Sequence, residues 1–426
     1  MPLNNRRARR CALSMCSLAL CAISSASAWA EGPGWGWSVG QQFSHDSNLF
    51  RLQDSSSPGV NPSRSDTLST TSLDLTLDQP FGRQRVLGRA GLEALRYRQH
   101  DELDHDAHHA DLRLDWETAG RLSGQLRAAS ARSLRPLDPR AAATSQPRNL
   151  ESTDEAAALL RLGVAGRLTV EGLLGGRAVH YSDPAFDAAE LSTQSAALGL
   201  RWRPGGATTL GTGLRETRGR YVNALDDADR YRSRALDLWM SWTATPMHRL
   251  YLRASPLRAR YDLRSERDFS GLTGALAWQW QPRGPWRVTA RAVRDLGQDA
   301  YLERYGADDP AAQVQPGGHV DDGVVLTRLT LAAERAVTAK VQASASLAWT
   351  RRTLTSRPPS ASPSSLLPAA TTAHDTTSHA ALGVRWAPRR SVQLGCDASA
   401  ERRHADGLLS TPYSARLVGC FGRLAW

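Results

Sequence analysis

Apolar and polar residues alternate with a period of two in short segments along the whole chain. The segment Ser72–Asp78 reads SLDLTLD and places Leu73, Leu75 and Leu77 on one face, with polar side chains on the other. Six further segments share this alternation: ADLRLDWE at 110–117, LGLRWR at 198–203, LDLWMSW at 236–242, RLYLRA at 249–254, WRVTARA at 286–292 and LGVRW at 382–386. This period predicts half-buried β-strands, and because no linker interrupts the pattern we expect one sheet.

The predicted strands are joined alternately by short turns and by long polar loops. The short turns are expected at 79–82, 118–120, 164–166, 204–206, 244–246, 282–284, 336–337 and 387–388. The long loops are expected near 51–66, 99–106, 134–151, 181–190, 222–230, 262–267, 299–320, 354–374 and 404–411. Short turns on one side and long loops on the other are typical of outer-membrane barrels. We therefore predict an all-β fold, a single closed antiparallel transmembrane β-barrel of about 18 strands with short periplasmic turns and long extracellular loops.

Tryptophans lie next to the short turns or at the chain end, which predicts an aromatic belt at one membrane interface. They are Trp35, Trp37, Trp116, Trp202, Trp242, Trp280, Trp286, Trp386 and Trp426. The alternative, a soluble β-sandwich, would scatter its core tryptophans along the strands. The last segment, LVGCFGRLAW, ends in an aromatic residue and resembles the signal by which outer-membrane barrels are recognised for assembly. We expect this strand to pair with the first one, GWGWSVGQQFSHDSN, and so to remove both sheet edges.

The first thirty residues predict a cleaved secretory signal. Arg6, Arg7, Arg9 and Arg10 precede a short apolar run, and Ala28-Trp29-Ala30 forms an A-x-A cleavage site. We therefore divide the chain into a signal peptide, 1–30, and an outer-membrane barrel, 31–426. The net charge of +11 becomes +7 when the four signal arginines are removed. Export argues against a nucleic-acid partner for this basic chain, and it favours outer-membrane lipid and an anionic or neutral polysaccharide.

Two cysteines follow the signal, because the other three of the five lie within it. Cys396 and Cys420 have their midpoint in the last predicted loop, so they should lie opposite each other on the last two strands, facing lipid. Two interpretations stay open: a cross-strand disulfide formed on the oxidising export route, or two small apolar residues facing lipid.

The inward positions of the predicted strands carry many charged side chains. The candidate pore-lining residues are Arg89, Arg113, Arg127, Arg177, Arg201, Arg215, Arg253, Arg291, Arg385, Asp111 and Glu117. Arginine suits bidentate contact with carboxylates or phosphates, so these residues favour a polar conduit. Facing arginines and acids could instead form neutral ladders, but an eighteen-stranded barrel is wide enough for such ladders to line a lumen.

Candidate chemistry is sparse. The segment His100–Asp111, HDELDHDAHHAD, concentrates imidazoles and carboxylates, but without a recognised ligand spacing it is interpreted as the solvated tip of an outer loop. No nucleophile or carboxylate pair stands out for catalysis. We therefore expect no enzyme activity, no metal site and no cofactor.

Four segments carry a resemblance to a known family: HDSNLFRL at 45–52, RSDT at 64–67, LDQPFGRQR at 77–85 and LRYRQHDELDHDAH at 95–108. In this order they resemble the outer-membrane barrels of exopolysaccharide-biosynthesis operons, the EpsL family of beta-proteobacteria. The similarity is clear over residues 37–185. It implies a non-catalytic barrel that assists exopolysaccharide export or assembly. Asp46, Asn48 and Arg51 lie at the end of the first predicted strand, at the outer rim, where they either meet the polymer or cap the strand.

Three alternatives to polysaccharide export remain open on the sequence alone. A general solute porin would conduct small sugars and would leave surface polysaccharide unaffected. A saccharide-modifying enzyme would need an inward carboxylate pair. A structural scaffold would recruit periplasmic polysaccharide-synthesis or export proteins through the short turns.

Overall fold

The computed structural model describes residues 34–53, 64–135, 137, 148–163, 167–221, 229–263, 267–296, 324–356, 371–406 and 410–426. The predicted signal peptide, 1–30, lies outside the described residues, as do the predicted turn 164–166 and the predicted loop 299–320. In the described part of the chain no helix has both the length and the apolar character needed to cross a membrane.

Eighteen strands make up the fold, in agreement with the sequence prediction. They are β1 Trp35–Asp46, β2 Asp66–Phe81, β3 Gln84–Tyr97, β4 His105–Glu117, β5 Leu122–Leu134, β6 Leu150–Gly163, β7 Leu168–Tyr181, β8 Leu191–Gly205, β9 Thr208–Tyr221, β10 Arg230–Thr245, β11 His248–Tyr261, β12 Phe269–Trp280, β13 Trp286–Leu296, β14 Val324–Ala336, β15 Val341–Ser356, β16 Thr371–Arg389, β17 Val392–Asp406 and β18 Tyr413–Ala425.

The sheet closes on itself. Each strand pairs antiparallel with the next one along the chain, and β1 pairs with both β2 and β18. In the closing pair Phe43 lies opposite Cys420, and Ser38 lies opposite Ala425. Closure satisfies the backbone N–H and C=O groups of both edge strands, which a hydrocarbon environment requires.

The two faces of the sheet differ as the period of two predicts. Outward positions carry large exposed apolar side chains, for example Leu73 and Leu75 on β2, Leu214 on β9 and Leu382 on β16. A contiguous apolar exterior of this size would not be stable in water. Together with closure, it places the barrel in a membrane, and at the level of this apolar band the charged residues lie on the inner face.

The predicted aromatic belt is confirmed. Trp35, Trp202, Trp242, Trp286, Trp386 and Trp426 are all exposed on the outer face near the short turns. Trp37 and Trp426 stack with their ring centroids 4.1 Å apart across the closing seam. Indole rings at this level fit the membrane–water interface, where one edge of the ring is apolar and its N–H meets water.

The turn between β2 and β3 shows how the sequence makes a short connection. Gly82 has a φ of 63°, a left-handed conformation that favours glycine, and it lies between the directly paired residues Phe81 and Gln84. The opposite connection, between β3 and β4, differs from the prediction. The segment His100–Asp111 is an outer loop only up to Asp104, because β4 begins at His105.

Candidate functional site in the barrel lumen

All eleven predicted pore-lining residues occupy inner-face positions of the barrel wall. They are Arg89 on β3, Asp111, Arg113 and Glu117 on β4, Arg127 on β5, Arg177 on β7, Arg201 on β8, Arg215 on β9, Arg253 on β11, Arg291 on β13 and Arg385 on β16. They are spread around the circumference, so they line a lumen and do not form one compact site. Their role in transport stays a prediction.

Between β4 and β5 each arginine contacts a carboxylate other than the residue directly opposite it. Arg113 and Arg127 lie directly opposite each other, which is unfavourable for like charges. Arg113 instead donates to Asp115 on its own strand at 2.7 Å, and Arg127 donates through Nε to Asp111 at 2.9 Å. Each guanidinium therefore has its own carboxylate.

A second group of pairs crosses β6, β7 and β8. Glu171 accepts from Arg161 Nε at 2.9 Å and lies 3.0 Å from Arg201 Nε, so one carboxylate joins three strands. Arg177 and Glu155, which are direct register partners, approach to 3.6 Å. The Arg201 guanidinium also lies over the Trp239 ring, 5.1 Å from its centroid.

A continuous polar network runs from β9 to β13. Arg215 Nε donates to Asp237 Oδ2 at 2.9 Å, and Ser255 Oγ donates to Asp237 Oδ1 at 2.6 Å. Arg253 donates to Ser255 Oγ at 3.3 Å and reaches past β12 to Asp295 at 3.5 Å. Such a network holds its guanidinium groups against the wall, because each is tied at two points.

The remaining four candidates differ in how exposed they are. Arg89 and Glu117 are exposed on the inner face, and Glu117 lies at the short-turn end of β4. Arg291 and Arg385 are partly exposed. Arg89 and Glu117 are therefore the predicted lining residues most accessible to a solute.

Sequence reasoning missed several of the carboxylates that complete the pairs. Glu155, Asp295, Glu334 and Asp375 all lie on the inner face, and each contacts an arginine. The signal that could have found Glu155 is the parity of β6, where Leu160 and Leu162 face outward and so turn Glu155 inward.

The inner face also carries a local group of apolar and aromatic side chains near the long-loop end. Leu191, Tyr221, Tyr231 and Tyr261 form a buried cluster on the inner face of β8 to β11. The Tyr231 ring lies on Gly219, where an added Cβ would be 1.8 Å from the ring. Glycine therefore provides the space that lets an aromatic ring lie flat against the wall.

The rim candidates build a folded turn at the end of β1. Asn48, with 3% of its surface exposed, donates through Nδ2 to the carbonyl oxygens of Leu52 at 2.8 Å and of Ser414 at 2.9 Å. Its Oδ1 accepts from the Leu52 N–H at 2.9 Å. Asp46 accepts from the Asn48 N–H at 2.8 Å and from Arg51 at 2.8 Å. These contacts match the strand-capping interpretation of the segment.

Arg51 is held by charge on two sides. It has a φ of 55°, it lies 2.8 Å from Asp46, and its Nε lies 3.8 Å from Glu401 on β17. Burial would lower the pKa of its guanidinium, but the carboxylates of Asp46 and Glu401 outweigh burial and raise the pKa above its usual value. Arg51 therefore stays charged and links the segment after β1 to β17, past the intervening strand β18.

An apolar cluster lies beneath this turn, inside the mouth of the barrel. Phe50, 1% exposed, and Leu52 pack with Leu68, Leu95 and other side chains of β2 to β4. The His100 ring contacts Phe50 edge-on, with the ring centroids 4.8 Å apart. The segment after β1 therefore folds back into the mouth.

Asp66, the first residue of β2, holds the connection between β3 and β4 next to this apolar cluster. Its carboxylate accepts from the backbone N–H groups of Arg98, Gln99 and His100 at 3.0–3.2 Å. A carboxylate with several backbone donors fixes a tight turn, because it satisfies N–H groups that have no strand partner.

Cys396 and Cys420 are joined by a disulfide, with their Cα atoms 4.0 Å apart. They are direct register partners on β17 and β18 and face outward, as the sequence predicts. Of the two interpretations left open, the structure has the bonded one.

Within the described ranges, no group of three or more His, Cys, Asp or Glu side chains is arranged to hold a metal ion. In the segment His100–Asp111, three of the imidazoles are spread along β4. His108 faces outward, whereas His105 and His109 face inward.

No protein-family model matches the chain. No curated protein matches it either. Among solved structures, the outer membrane protein OpdK from Pseudomonas aeruginosa aligns with a TM-score of 0.48 and 9% identity, covering 92% of this chain and 99% of that one. OccK3 (OpdO) of the same organism aligns with a TM-score of 0.46 and 12% identity, covering 92% and 95%. The alcaligin outer-membrane receptor FauA from Bordetella pertussis gives 0.40 and 10%, covering 91% and 76%.

The closed wall, the apolar exterior and the aromatic belt define the class of this protein. It is an eighteen-stranded β-barrel of the outer membrane, with a porin-like architecture.

Proposed function

We propose that this protein is a passive outer-membrane channel that conducts hydrophilic solutes through a charged lumen. The observation that carries the proposal is the series of arginine–carboxylate pairs on the inner wall of a closed eighteen-stranded barrel. Barrels of 16–18 strands are wide enough for an aqueous channel, and fixed charges along the wall favour water and hydrated solutes over apolar ones.

The arginine–carboxylate pairs also determine which ions and solutes the channel would favour. Because carboxylates alternate with guanidiniums, the wall presents both signs, and a solute meets no long stretch of one charge. Conduction requires binding that is weak enough for release, and a wall of internally paired charges provides that. We therefore expect weak ion selectivity and no chemical change in the solute.

The proposal is tested by solute uptake into liposomes that contain the purified, folded protein. We expect liposome swelling with small sugars and sugar acids, with a rate that decreases as solute size increases. Protein unfolded by boiling before reconstitution is the control. Folded protein that gives no more swelling than the boiled control would contradict the proposal.

A second candidate function is assistance in exopolysaccharide export or assembly. The observation that favours it is the mouth: three of the four segments that carry the family resemblance, 45–52, 64–67 and 95–108, pack together there. A mouth built by such specific contacts fits a barrel with a defined extracellular task. Engagement of an anionic or neutral polysaccharide, and recruitment of periplasmic synthesis or export proteins, remain predictions of this candidate.

The rim residues would act indirectly in either function. Asp46 and Asn48 are buried and engaged by internal hydrogen bonds, so they support the mouth and do not point at a solute. Contact with a polymer would come from exposed neighbours such as Arg98, Gln99 and Glu102.

Gene deletion separates the two functions. The export candidate predicts that deletion removes surface polysaccharide and that the wild-type gene restores it. The solute channel predicts unchanged polysaccharide together with slower uptake of small sugars. Complementation with Arg89→Gln, Arg291→Gln and Arg385→Gln tests the electrostatic part, because these three arginines lie on the inner face of three different strands.

A further inference from the structure

Seven arginines face outward, away from the lumen, on three neighbouring strands. They are Arg218 and Arg220 on β9, Arg230, Arg232 and Arg234 on β10, and Arg258 and Arg260 on β11. Their register sets them in rows: Arg218, Arg232 and Arg260 lie side by side, Arg220 lies opposite Arg230, and Arg234 lies opposite Arg258. We call this group the outer arginine cluster.

The outer arginine cluster begins where the lipid-facing surface ends. On β10 the outward residues Leu236 and Leu238 are exposed apolar side chains, and the next outward residue toward the long-loop end is Arg234. The outward positions of β9 change in the same way, from Leu214 to Glu216 and then Arg218. Successive outward residues are about 7 Å apart along a strand, so the three rows extend through the layer directly above the hydrocarbon band.

The cluster carries a large excess of positive charge. Within these three strands, all of them described in full, Glu216 is the one acidic residue in an outward position. It lies 2.7 Å from Arg218, 2.9 Å from Arg234 and 3.6 Å from Arg232, so three guanidiniums already share one carboxylate. Those three side chains remain 52–67% exposed. Like charges that lie directly opposite in a sheet repel each other, and anions from outside the protein would relieve that repulsion.

We propose that the outer arginine cluster binds the phosphate groups of a phosphorylated lipid of the extracellular leaflet. Guanidinium groups contact phosphate oxygens in a bidentate manner, and the chain uses arginine almost without exception, with Lys340 as its one lysine. A lipid satisfies both halves of this surface, because its acyl chains would lie on Leu214, Leu236 and Leu238 while its phosphates meet the arginines. The site lies on the outside of the wall, so it does not depend on transport through the lumen.

The test compares lipid binding by matched variants of the full, folded barrel. The probe is lipid A that carries two phosphates, titrated in detergent and followed by native mass spectrometry. The variant Arg218→Gln/Arg232→Gln/Arg260→Gln removes the middle row. The control Arg83→Gln/Arg167→Gln/Arg389→Gln removes the same charge at the exposed short-turn end of the barrel. We expect at least tenfold weaker binding by the middle-row variant and less than a twofold change in the control.

Three further arms make the result decisive. Lipid A without its phosphates should bind at least tenfold more weakly to the wild type. Inorganic phosphate at equal concentration should not displace the lipid; displacement would show a free-anion site and overturn the lipid assignment. Displacement by an anionic polysaccharide would overturn it too. Equal binding by the middle-row variant and the wild type would overturn the proposal. Should the triple variant fail to fold, Arg232→Gln alone must weaken binding more than Arg389→Gln alone.

Discussion

At the scale of single residues, the ion pairs of the wall differ mainly in how much water reaches them. Arg215 is 7% exposed and donates to Asp237 at 2.9 Å. Replacement by Met, which keeps the length but removes the donors, leaves a carboxylate without its guanidinium in a confined place. We expect Arg215→Met to lower the free energy of unfolding by about 3 kcal/mol, measured by denaturant titration in lipid vesicles.

The matched control is the pair between Arg85 and Asp78, whose side chains are 55% and 51% exposed. An exposed ion pair contributes about 0–1 kcal/mol, because water already solvates both groups. Arg85→Met should therefore change the free energy of unfolding by less than about 1 kcal/mol. Equal losses in the two variants would mean that burial does not set the strength of the wall pairs.

Asn48 anchors the turn after β1 through its side-chain amide. Its amide makes three hydrogen bonds to backbone groups of Leu52 and Ser414. Asn48→Ala leaves buried carbonyl and N–H groups without partners, at a cost of about 1–3 kcal/mol. We expect faster cleavage near residues 49–53 in limited proteolysis of the folded barrel.

The control for the mouth is Gln99→Ala, because the Gln99 side chain is exposed. Its backbone N–H still donates to Asp66 after the change. Cleavage of Gln99→Ala should match the wild type. A cleavage rate for Asn48→Ala no higher than that of the wild type would argue against Asn48 as the anchor of the mouth.

At the scale of elements, the last two strands carry a covalent link. The bond between Cys396 and Cys420 closes a loop with a sequence separation of 24 residues. A loop of this size corresponds to about 3.5 kcal/mol in the chain-entropy account of disulfides. Alkylation of the unfolded mature protein without reductant should modify neither cysteine, and reductant should expose both. Labelling of both thiols before reduction would contradict the link.

The seam between β1 and β18 depends on the terminal residue. Trp426 exchanges two backbone hydrogen bonds with Trp37, at 3.1 and 2.9 Å, and stacks on its ring. Trp426→Ala loses the stacking and the interfacial indole, so we expect less of the compact, heat-modifiable form on unboiled gels. Trp426→Phe keeps an aromatic ring and should assemble close to the wild-type level. Equal assembly of the Ala and Phe variants would show that the ring is dispensable.

Strand number, closure and the cysteine register could be predicted from the sequence because they follow from local signals: the turn–loop alternation, the terminal strands and the period of two. β17 and β18 illustrate this: once a turn midpoint is set, parity alone brings Cys396 opposite Cys420. The beginning of β4 could not be predicted in the same way. His105, Ala107 and His109 face inward but belong to a polar, histidine-rich segment, so hydropathy gives no sign that a strand has begun there.

At the scale of the whole molecule, the alternation of side chains along a strand predicts which face each charged residue lies on. It does not predict which residue forms an ion pair with it. Arg201 lies opposite Thr169, yet it contacts Glu171 one row away, and Arg127 passes over Arg113 to reach Asp111. These choices depend on the stagger of a closed barrel and on local repulsion, which a single strand does not contain. The outer arginine cluster was missed for a related reason, since it becomes visible only when three strands are placed side by side.

The central claim is that the charged lumen of this barrel conducts. Single-channel recording of the purified protein in planar bilayers, with potassium chloride, tests it most directly. We expect stepwise increases in current as barrels insert, and a reversal potential close to zero in a salt gradient, because paired charges of both signs line the wall. Folded, inserted barrels that produce no current steps would contradict the claim.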